Sequence, residues 1–158
     1  MKTSKIISTY LHRVTAVEKA PKELIDDLNR DLELEFAAMV QYLQHSQMLM
    51  GAPEETFAKE LLTHADEEWG HAKKIAERIS YLGGTVGMKI GETESAPTTV
   101  GMLKIDLKGE EIAIDRYRSR ISWCDSHNDP GTAQIIREII VDEESHRDEL
   151  LIYLNLKS

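Results

Sequence analysis

The sequence predicts an all-α protein, a bundle of four long helices with one long connection between the second and the third. Three observations lead to this prediction. Four segments repeat apolar residues at steps of three and four, the spacing of a helix face that is buried in a bundle. Short turns containing Gly and Pro or Asp-Pro separate the first two segments and the last two. A long stretch rich in Gly, Thr, Ser and Pro, residues 83–98, separates the second segment from the third.

The first two helices have clear boundaries. The first is expected over about residues 21–50, because Pro21 suits a first helical turn and Gly51 begins a Gly-Ala-Pro turn. The second is expected over about residues 54–82, where Gly83-Gly84 ends it. We therefore divide the chain into an N-terminal extension, residues 1–20, and a bundle domain, residues 21–158.

The last two helices follow the same logic. The third is expected over about residues 99–127, and the fourth begins at Asp129-Pro130, with Asp129 as a plausible N-cap and Pro130 at the first helical position. The short connections predict two antiparallel hairpins. The stretch 83–98 is long enough to run back along the bundle as a crossover. The alternative is an up-down bundle with a loose loop.

Composition limits the function classes. A chain of 158 residues with 41% hydrophobic and 30% charged residues fits one soluble domain. We expect a cytoplasmic protein, because no membrane span or signal-peptide pattern is visible and Cys124 is the single cysteine. The net charge of -9 argues against general DNA binding. Residues 1–22 are locally basic, and we expect them to pack on a neighbouring subunit rather than to bind DNA.

A glutamate interrupts the apolar face of each predicted helix. The four are Glu35, Glu68, Glu110 and Glu143. A buried carboxylate is costly unless it is paired or binds metal, and four of them would repel one another in a dry core. Two divalent cations would neutralise all four charges. The alternative is that the four carboxylates lie at the edges of the bundle with their tips in solvent.

Two of these glutamates begin Glu-x-x-His motifs. His71 follows Glu68, and His146 follows Glu143, at a spacing that places both side chains of a motif on one helix face. Two such motifs, with a single glutamate from each of two other helices, form the ligand set of a di-iron or di-manganese carboxylate site. The predicted ligands are Glu35 and His71 on one ion, Glu110 and His146 on the other, and Glu68 and Glu143 as bridges.

Several neighbouring residues remain as alternatives. Glu67, Glu111 and Glu144 lie beside the chosen ligands and could replace them if the helical phase is off by one residue. His64, together with Glu67, could bind iron in transit, although such a histidine is more often a polar residue near the edge of a core. His45 is expected on the surface or in a subunit contact.

With these residues in place, the sequence resembles the bacterioferritin branch of the ferritin-like superfamily over residues 24–154. The resemblance implies a ferritin-like four-helix bundle and a ferroxidase. Such a protein oxidises Fe(II) with O2 or H2O2 at a di-iron centre within one subunit and stores Fe(III) in a homo-oligomeric cage. It also implies that Tyr42, which matches a family tyrosine beside the centre, supplies an electron; the alternative is an ordinary core aromatic. The matching stretches are Leu28 to Tyr42, Glu68 to Ala72, Asp106 to Glu110 and Asp142 to His146.

The sequence also departs from the bacterioferritin pattern. Trp69 stands where bacterioferritins have the Met that ligates haem, so we predict no haem of that type. Few residues follow Tyr153, which leaves no room for the short fifth helix and makes a 24-subunit cage uncertain. The short C-terminus and the N-terminal extension resemble Dps-like mini-ferritins that keep a bacterioferritin-type centre and form 12-subunit shells.

Two other functions would use parts of the same pattern. A rubrerythrin-like peroxidase or a small di-iron oxidase would use the same ligands and store nothing, although one cysteine cannot supply the Cys-rich module that rubrerythrins usually carry. A Dps-like shell that protects DNA would use the basic extension.

Overall fold

The computed structural model describes residues 20–49 and 52–155 of the chain. This part consists of four long helices and contains no strand, which confirms the predicted fold class. No helix in it is long and apolar enough to cross a membrane. The predicted N-terminal extension lies outside the described residues except for Ala20, and it stays a prediction. The helices are α1 (Lys22–Met48), α2 (Ala52–Tyr81), α3 (Thr99–Ser126) and α4 (Pro130–Tyr153).

Local signals in the sequence set the helix ends. Pro21 is the residue before α1 rather than part of its first turn, because its ψ of 138° is extended. Gly83 takes a left-handed conformation with φ 75° after α2, and the Gly84 amide donates to the Ile79 carbonyl at 2.9 Å. The Asp129 side chain accepts from the Thr132 amide at 3.1 Å and caps α4, as predicted.

The connection between α2 and α3 is an ordered crossover that lies along α1. The Asn29 side chain donates to the Thr85 carbonyl at 3.0 Å and accepts from the Gly87 amide at 2.6 Å. Further along, the Glu94 amide donates to Gln41 Oε1 at 2.9 Å. The crossover therefore runs in the direction of α1, so α3 starts near the end of α1 and runs antiparallel to it. The alternative of a loose loop is wrong.

The helices form a ring in which α1 neighbours α2 and α3, and α4 also neighbours both. Two apolar clusters fill the interior. One contains Leu28, Ile75 and Ile136, and the other contains Phe57 and Leu103. The interrupting glutamates lie between these clusters along each helix, so the polar layer of the bundle is enclosed at both ends by packed apolar side chains. This enclosure limits the access of water at both ends of the layer and strengthens electrostatic interactions within it.

Candidate metal centre

The bundle brings all six predicted ligands to one buried place. Each is at most 3% exposed, so the alternative of carboxylates with tips in solvent is wrong. The six form two groups, and within each group one potential ligand atom of every residue lies within 4.8 Å of the others. Glu68 and Glu143 belong to both groups, which is the arrangement expected of bridging carboxylates. The first group is Glu35, Glu68, His71 and Glu143, and the second is Glu68, Glu110, Glu143 and His146.

The two imidazoles occupy matching positions. His71 Nδ1 lies 3.1 Å from Glu68 Oε2, 3.3 Å from Glu35 Oε2 and 3.2 Å from Glu143 Oε1. His146 Nδ1 lies 3.3 Å from both Glu68 Oε1 and Glu143 Oε2, and 3.7 Å from Glu110 Oε1. Each histidine thus faces both shared carboxylates and one further carboxylate. The site consequently has two similar halves, each with room for one ion among oxygen and nitrogen atoms.

Atoms without a hydrogen bond indicate what the site can hold. Four buried atoms of the six residues have ion-pair contacts at 3.3 Å but no hydrogen bond: Glu35 Oε2, Glu68 Oε1, Glu143 Oε2 and His146 Nδ1. A buried polar atom without a hydrogen bond is costly, and native proteins contain few of them. Their concentration at one point is what a pair of cations would satisfy. Carboxylate oxygens with imidazole nitrogens suit iron or manganese, so the residues fit a two-metal centre.

Burial and neighbouring charges shift the pKa values of the glutamates in different directions. Burial, followed by repulsion from Glu143 and Glu68, raises the pKa of Glu35 well above its usual value. Burial and the same two neighbours raise the pKa of Glu110 in the same way. Burial also opposes ionisation of Glu68, but the neighbouring imidazoles outweigh it and lower its pKa to about 2.

The imidazoles hold their protons for the complementary reason. Burial alone would lower the pKa of His71 and of His146, but the three carboxylates around each ring outweigh it and raise the pKa well above 6.5. The raised pKa values favour the protonated form of both rings when no metal is bound. A divalent cation that binds at Nδ1 must displace a proton from each ring.

We predict that stabilisation by metal increases with pH. The folded-state pKa values of His71 and His146 lie above the unfolded value, so their contribution to the stability of the metal-free protein is complete below about pH 6.5 and is lost as pH rises through the folded pKa values. Metal binding has the opposite dependence. Its affinity should rise about tenfold per pH unit for each proton displaced. Thermal unfolding with and without Mn(II), at about pH 6 and about pH 8.5, measures the difference.

The control for this prediction is Glu68→Ala, which lacks a residue of both groups. Its melting temperature should respond weakly to Mn(II) at either pH. A Mn(II)-induced shift in the wild-type protein that is equal at both pH values would contradict proton displacement at the centre.

A carboxylate at the surface orients each imidazole. Asp142 Oδ2 lies 3.1 Å from His71 Nε2, and Glu67 Oε2 lies 2.9 Å from His146 Nε2. Each carboxylate directly precedes a shared glutamate and contacts the histidine on the opposite helix. Such contacts hold the ring so that its other nitrogen points at the metal. Glu67 is therefore outside both groups, as are the exposed Glu111 and the partly buried Glu144, and none of these alternative ligands gains support.

Two buried tyrosines contact the outer glutamates, which are Glu35 and Glu110, the two that belong to one group each. The Tyr42 hydroxyl donates to Glu110, and the Tyr117 hydroxyl donates to Glu35. Burial and the nearby carboxylates, Glu110 first, raise the pKa of Tyr42 well above 10, so it is a neutral phenol. Tyr117 is not among the site residues that the sequence predicts. The signal was present, because each tyrosine lies seven residues after the outer glutamate of its own helix.

The expectation that His45 lies on the surface or in a subunit contact is wrong. Its side chain is fully buried, and Nδ1 lies 2.9 Å from both carboxylate oxygens of Asp106. The other ring nitrogen contacts the Glu94 carbonyl at 3.2 Å, and Gln41 Nε2 donates to Asp106 at 2.9 Å. The crossover covers this histidine, and the helical periodicity of α1 contains no information about that cover.

A cavity of about 140 Å3 lies between α1 and α3 beside the crossover. Its lining includes Glu92 and Glu94 of the crossover and, at the centre, Glu35, Glu68 and Glu110. The cavity connects the acidic residues of the crossover to the metal-binding groups. It therefore offers a cation or a small oxidant a route of approach on the α1–α3 side.

Comparisons with known proteins bear on the family and the fold of this chain. The sequence profile of the ferritin-like domain matches residues 25–157. The bacterioferritin of Brucella melitensis is 31% identical over 139 residues, which cover 87% of this chain and 86% of that protein. A bacterial ferritin of Pseudomonas aeruginosa is 33% identical over 125 residues, covering 78% and 81%. The sequence resemblance to bacterioferritins is therefore confirmed.

Solved structures show the same likeness. A ferritin-like, di-iron-carboxylate protein from Bacillus anthracis superimposes with a TM-score of 0.81 at 29% identity, covering 84% of this chain and 96% of that one. The bacterioferritin of Rhodobacter capsulatus, described with a metal-free dinuclear site and haem iron, superimposes with a TM-score of 0.78 at 30% identity, covering 87% of each chain. The chain thus shares both its sequence pattern and its bundle with these proteins.

Proposed function

Because this chain belongs to the ferritin family, in its bacterioferritin branch, we propose that it is an iron-storage ferroxidase. It oxidises Fe(II) with O2 or H2O2 at the centre described above and keeps Fe(III) in a homo-oligomeric cage of 12 or 24 subunits in the cytoplasm. The observation that carries this proposal is that two metal-binding groups share Glu68 and Glu143 within a single chain. A protein with its site between subunits would not present both groups in one bundle.

The residues have distinct parts in this proposal. Glu68 and Glu143 hold both ions, Glu35 and His71 complete one half, and Glu110 and His146 complete the other. Two ferrous ions held side by side supply two electrons to one molecule of oxidant. The acidic lining of the cavity attracts Fe(II), and burial of the centre between the apolar clusters limits its access to water.

Proton movement accompanies iron binding. Each displaced Nδ1 proton leaves to solvent, whereas the Nε2 protons of His71 and His146 stay hydrogen-bonded to Asp142 and Glu67, which are half-exposed. With O2 as the oxidant, the two ferrous ions supply two of the four electrons needed for reduction to water. Tyr42 supplies one of the other two and a further Fe(II) supplies the last, while Glu110, which accepts the Tyr42 hydrogen bond, takes the phenolic proton. Manganese would fit the same donor set, and we propose iron because of the family.

The size of the native particle tests storage separately from oxidation. We expect light scattering to show an assembly of 12 or 24 chains, and metal analysis of the same sample after aerobic addition of Fe(II) to show many iron atoms retained per chain. Apoprotein to which no iron is added is the control. A dimer that oxidises Fe(II) but releases all of the Fe(III) would contradict storage and favour the small di-iron oxidase or rubrerythrin-like peroxidase.

A further inference from the structure

A row of three imidazoles lies between α2 and α4, and only two of them belong to the centre. The third, His64, stacks on His146 with ring centroids 4.1 Å apart. Like the other two, it presents Nε2 to a carboxylate near the surface, in this case Glu149 Oε2 at 3.0 Å. His64 is in neither group of the two-metal centre, and the proposed oxidation does not use it.

Packing alone does not account for His64. The side chain is 1% exposed, and its Nδ1 is buried without a hydrogen-bond partner. A buried polar atom without a partner lowers folding stability, and an apolar side chain would fill the same space without that cost. The imidazole is nevertheless held in one orientation, between the His146 ring on one side and the Tyr42 ring edge-on at 5.2 Å.

Two carboxylates complete a cluster around this imidazole. Glu60 precedes His64 by four residues on α2 and is therefore one turn away on the same face, and Glu149 approaches from α4. Potential ligand atoms of the three residues lie within 4.8 Å of one another. Ser145 Oγ donates to Glu149 Oε1 at 3.2 Å, which leaves Oε2 towards the imidazole. The Ser145 contact orients the carboxylate as outer residues orient metal ligands.

We propose that Glu60, His64 and Glu149 form a third divalent-cation site, separate from the two-metal centre. Two carboxylates and one imidazole are a ligand set that suits Fe(II) and Mn(II), with water in the remaining positions. Glu60 is exposed and Glu149 is half-exposed, so the site is open to solvent. An ion there would contact the buried His64 from the solvent side.

The position of this site relates it to the centre. The cavity beside the crossover reaches the centre from the α1–α3 side, whereas the third site lies on the opposite, α2–α4 side of the bundle. His64 stacks directly on His146, a proposed ligand of the centre. The third site therefore holds cations one helical turn from the centre, on the side away from the cavity. Its use for iron in transit rests on the proposed function, but the binding of a cation does not.

Equilibrium dialysis of the full-length metal-free protein against Co(II), followed by metal analysis, tests the proposal. The variants are Glu60→Gln and Glu149→Gln. Both keep the size of the side chain and remove its charge, at positions that are accessible to solvent. The matched control is Glu111→Gln, exposed on α3 and outside all three groups. We expect the two variants to bind one Co(II) fewer per chain than the wild type, and the control to bind as many.

The result also separates this proposal from the proposed function. If the Glu149→Gln variant oxidises Fe(II) at the wild-type initial rate and binds one Co(II) fewer, the result supports a site that is distinct from the centre. Equal Co(II) binding by all four proteins would overturn the third site. If the variants bind one Co(II) fewer but the wild type does not oxidise Fe(II), the third site is supported and the proposed ferroxidase activity is refuted.

Discussion

In the Glu68→Ala variant, we expect rapid oxidation of Fe(II) to fall by about 100-fold or more. Changes to residues that merely orient metal ligands already cost about 10- to 100-fold in affinity or activity. Glu68 belongs to both groups, so its loss removes a ligand from each ion at once. It also leaves His71 and His146 facing one carboxylate fewer each. The measurement is stopped-flow absorbance after mixing anaerobic Fe(II)-loaded protein with O2 or, separately, with H2O2.

The control for this experiment is Glu111→Ala, which removes an exposed glutamate from α3 and should leave the rate unchanged. Glu143→Ala provides a second variant of a shared carboxylate and should lose as much activity as Glu68→Ala. Circular dichroism and particle size of each variant establish that the bundle is still folded. Equal oxidation rates in wild type, Glu68→Ala and Glu143→Ala would refute the centre as described here.

In the Tyr42→Phe variant, we expect oxidation to slow by about tenfold, which corresponds to about 1.4 kcal/mol in the barrier. The phenol is the electron donor in our proposal, and its hydrogen bond to Glu110 gives the proton a place to go. Because burial and neighbouring carboxylates raise the pKa of Tyr42, the electron leaves together with that proton. Freeze-quench electron paramagnetic resonance should show a tyrosyl radical in the wild type and none in Tyr42→Phe.

Tyr117→Phe is the matched control, because it removes the corresponding hydrogen bond to the other outer glutamate, Glu35. If only the loss of a hydrogen bond matters, both variants should slow to a similar extent. Tyr117→Phe should still show the tyrosyl radical that the wild type shows. If neither the rate nor the radical distinguishes the two variants, Tyr42 is a structural residue and its proposed role is wrong.

Much of the fold could be predicted because its signals are local. The apolar steps of three and four along each helix report burial directly, and a glutamate in the same phase as Leu32 or Leu107 must enter the same interior. Gly83 and Asp129 act on the backbone within a few residues of their own position, and both helix ends were predicted from them. Each of the six proposed ligands was identified from the phase of its own helix. The six come together because these phases all face the same interior.

The contacts that were missed are between residues distant in the chain. His45 is buried because Asp106 and the crossover reach it from other elements, and nothing in the sequence around His45 shows that cover. Tyr117 repeats the spacing of Tyr42, but its contact with Glu35 exists only because α1 and α3 are antiparallel neighbours. The approach of Glu149 to His64 likewise depends on how α2 packs against α4.

The sequence by itself determined four amphipathic helices, their ends, and four glutamates and two histidines on their buried faces, since helical periodicity and capping are properties of short segments. Only the tertiary structure decided which surface carboxylate orients each imidazole. It also decided that the crossover covers one side of the bundle, beside the cavity, while Glu149 meets His64 on the other. These features depend on distances between helices, which follow from the packing of whole faces and from the path of the crossover.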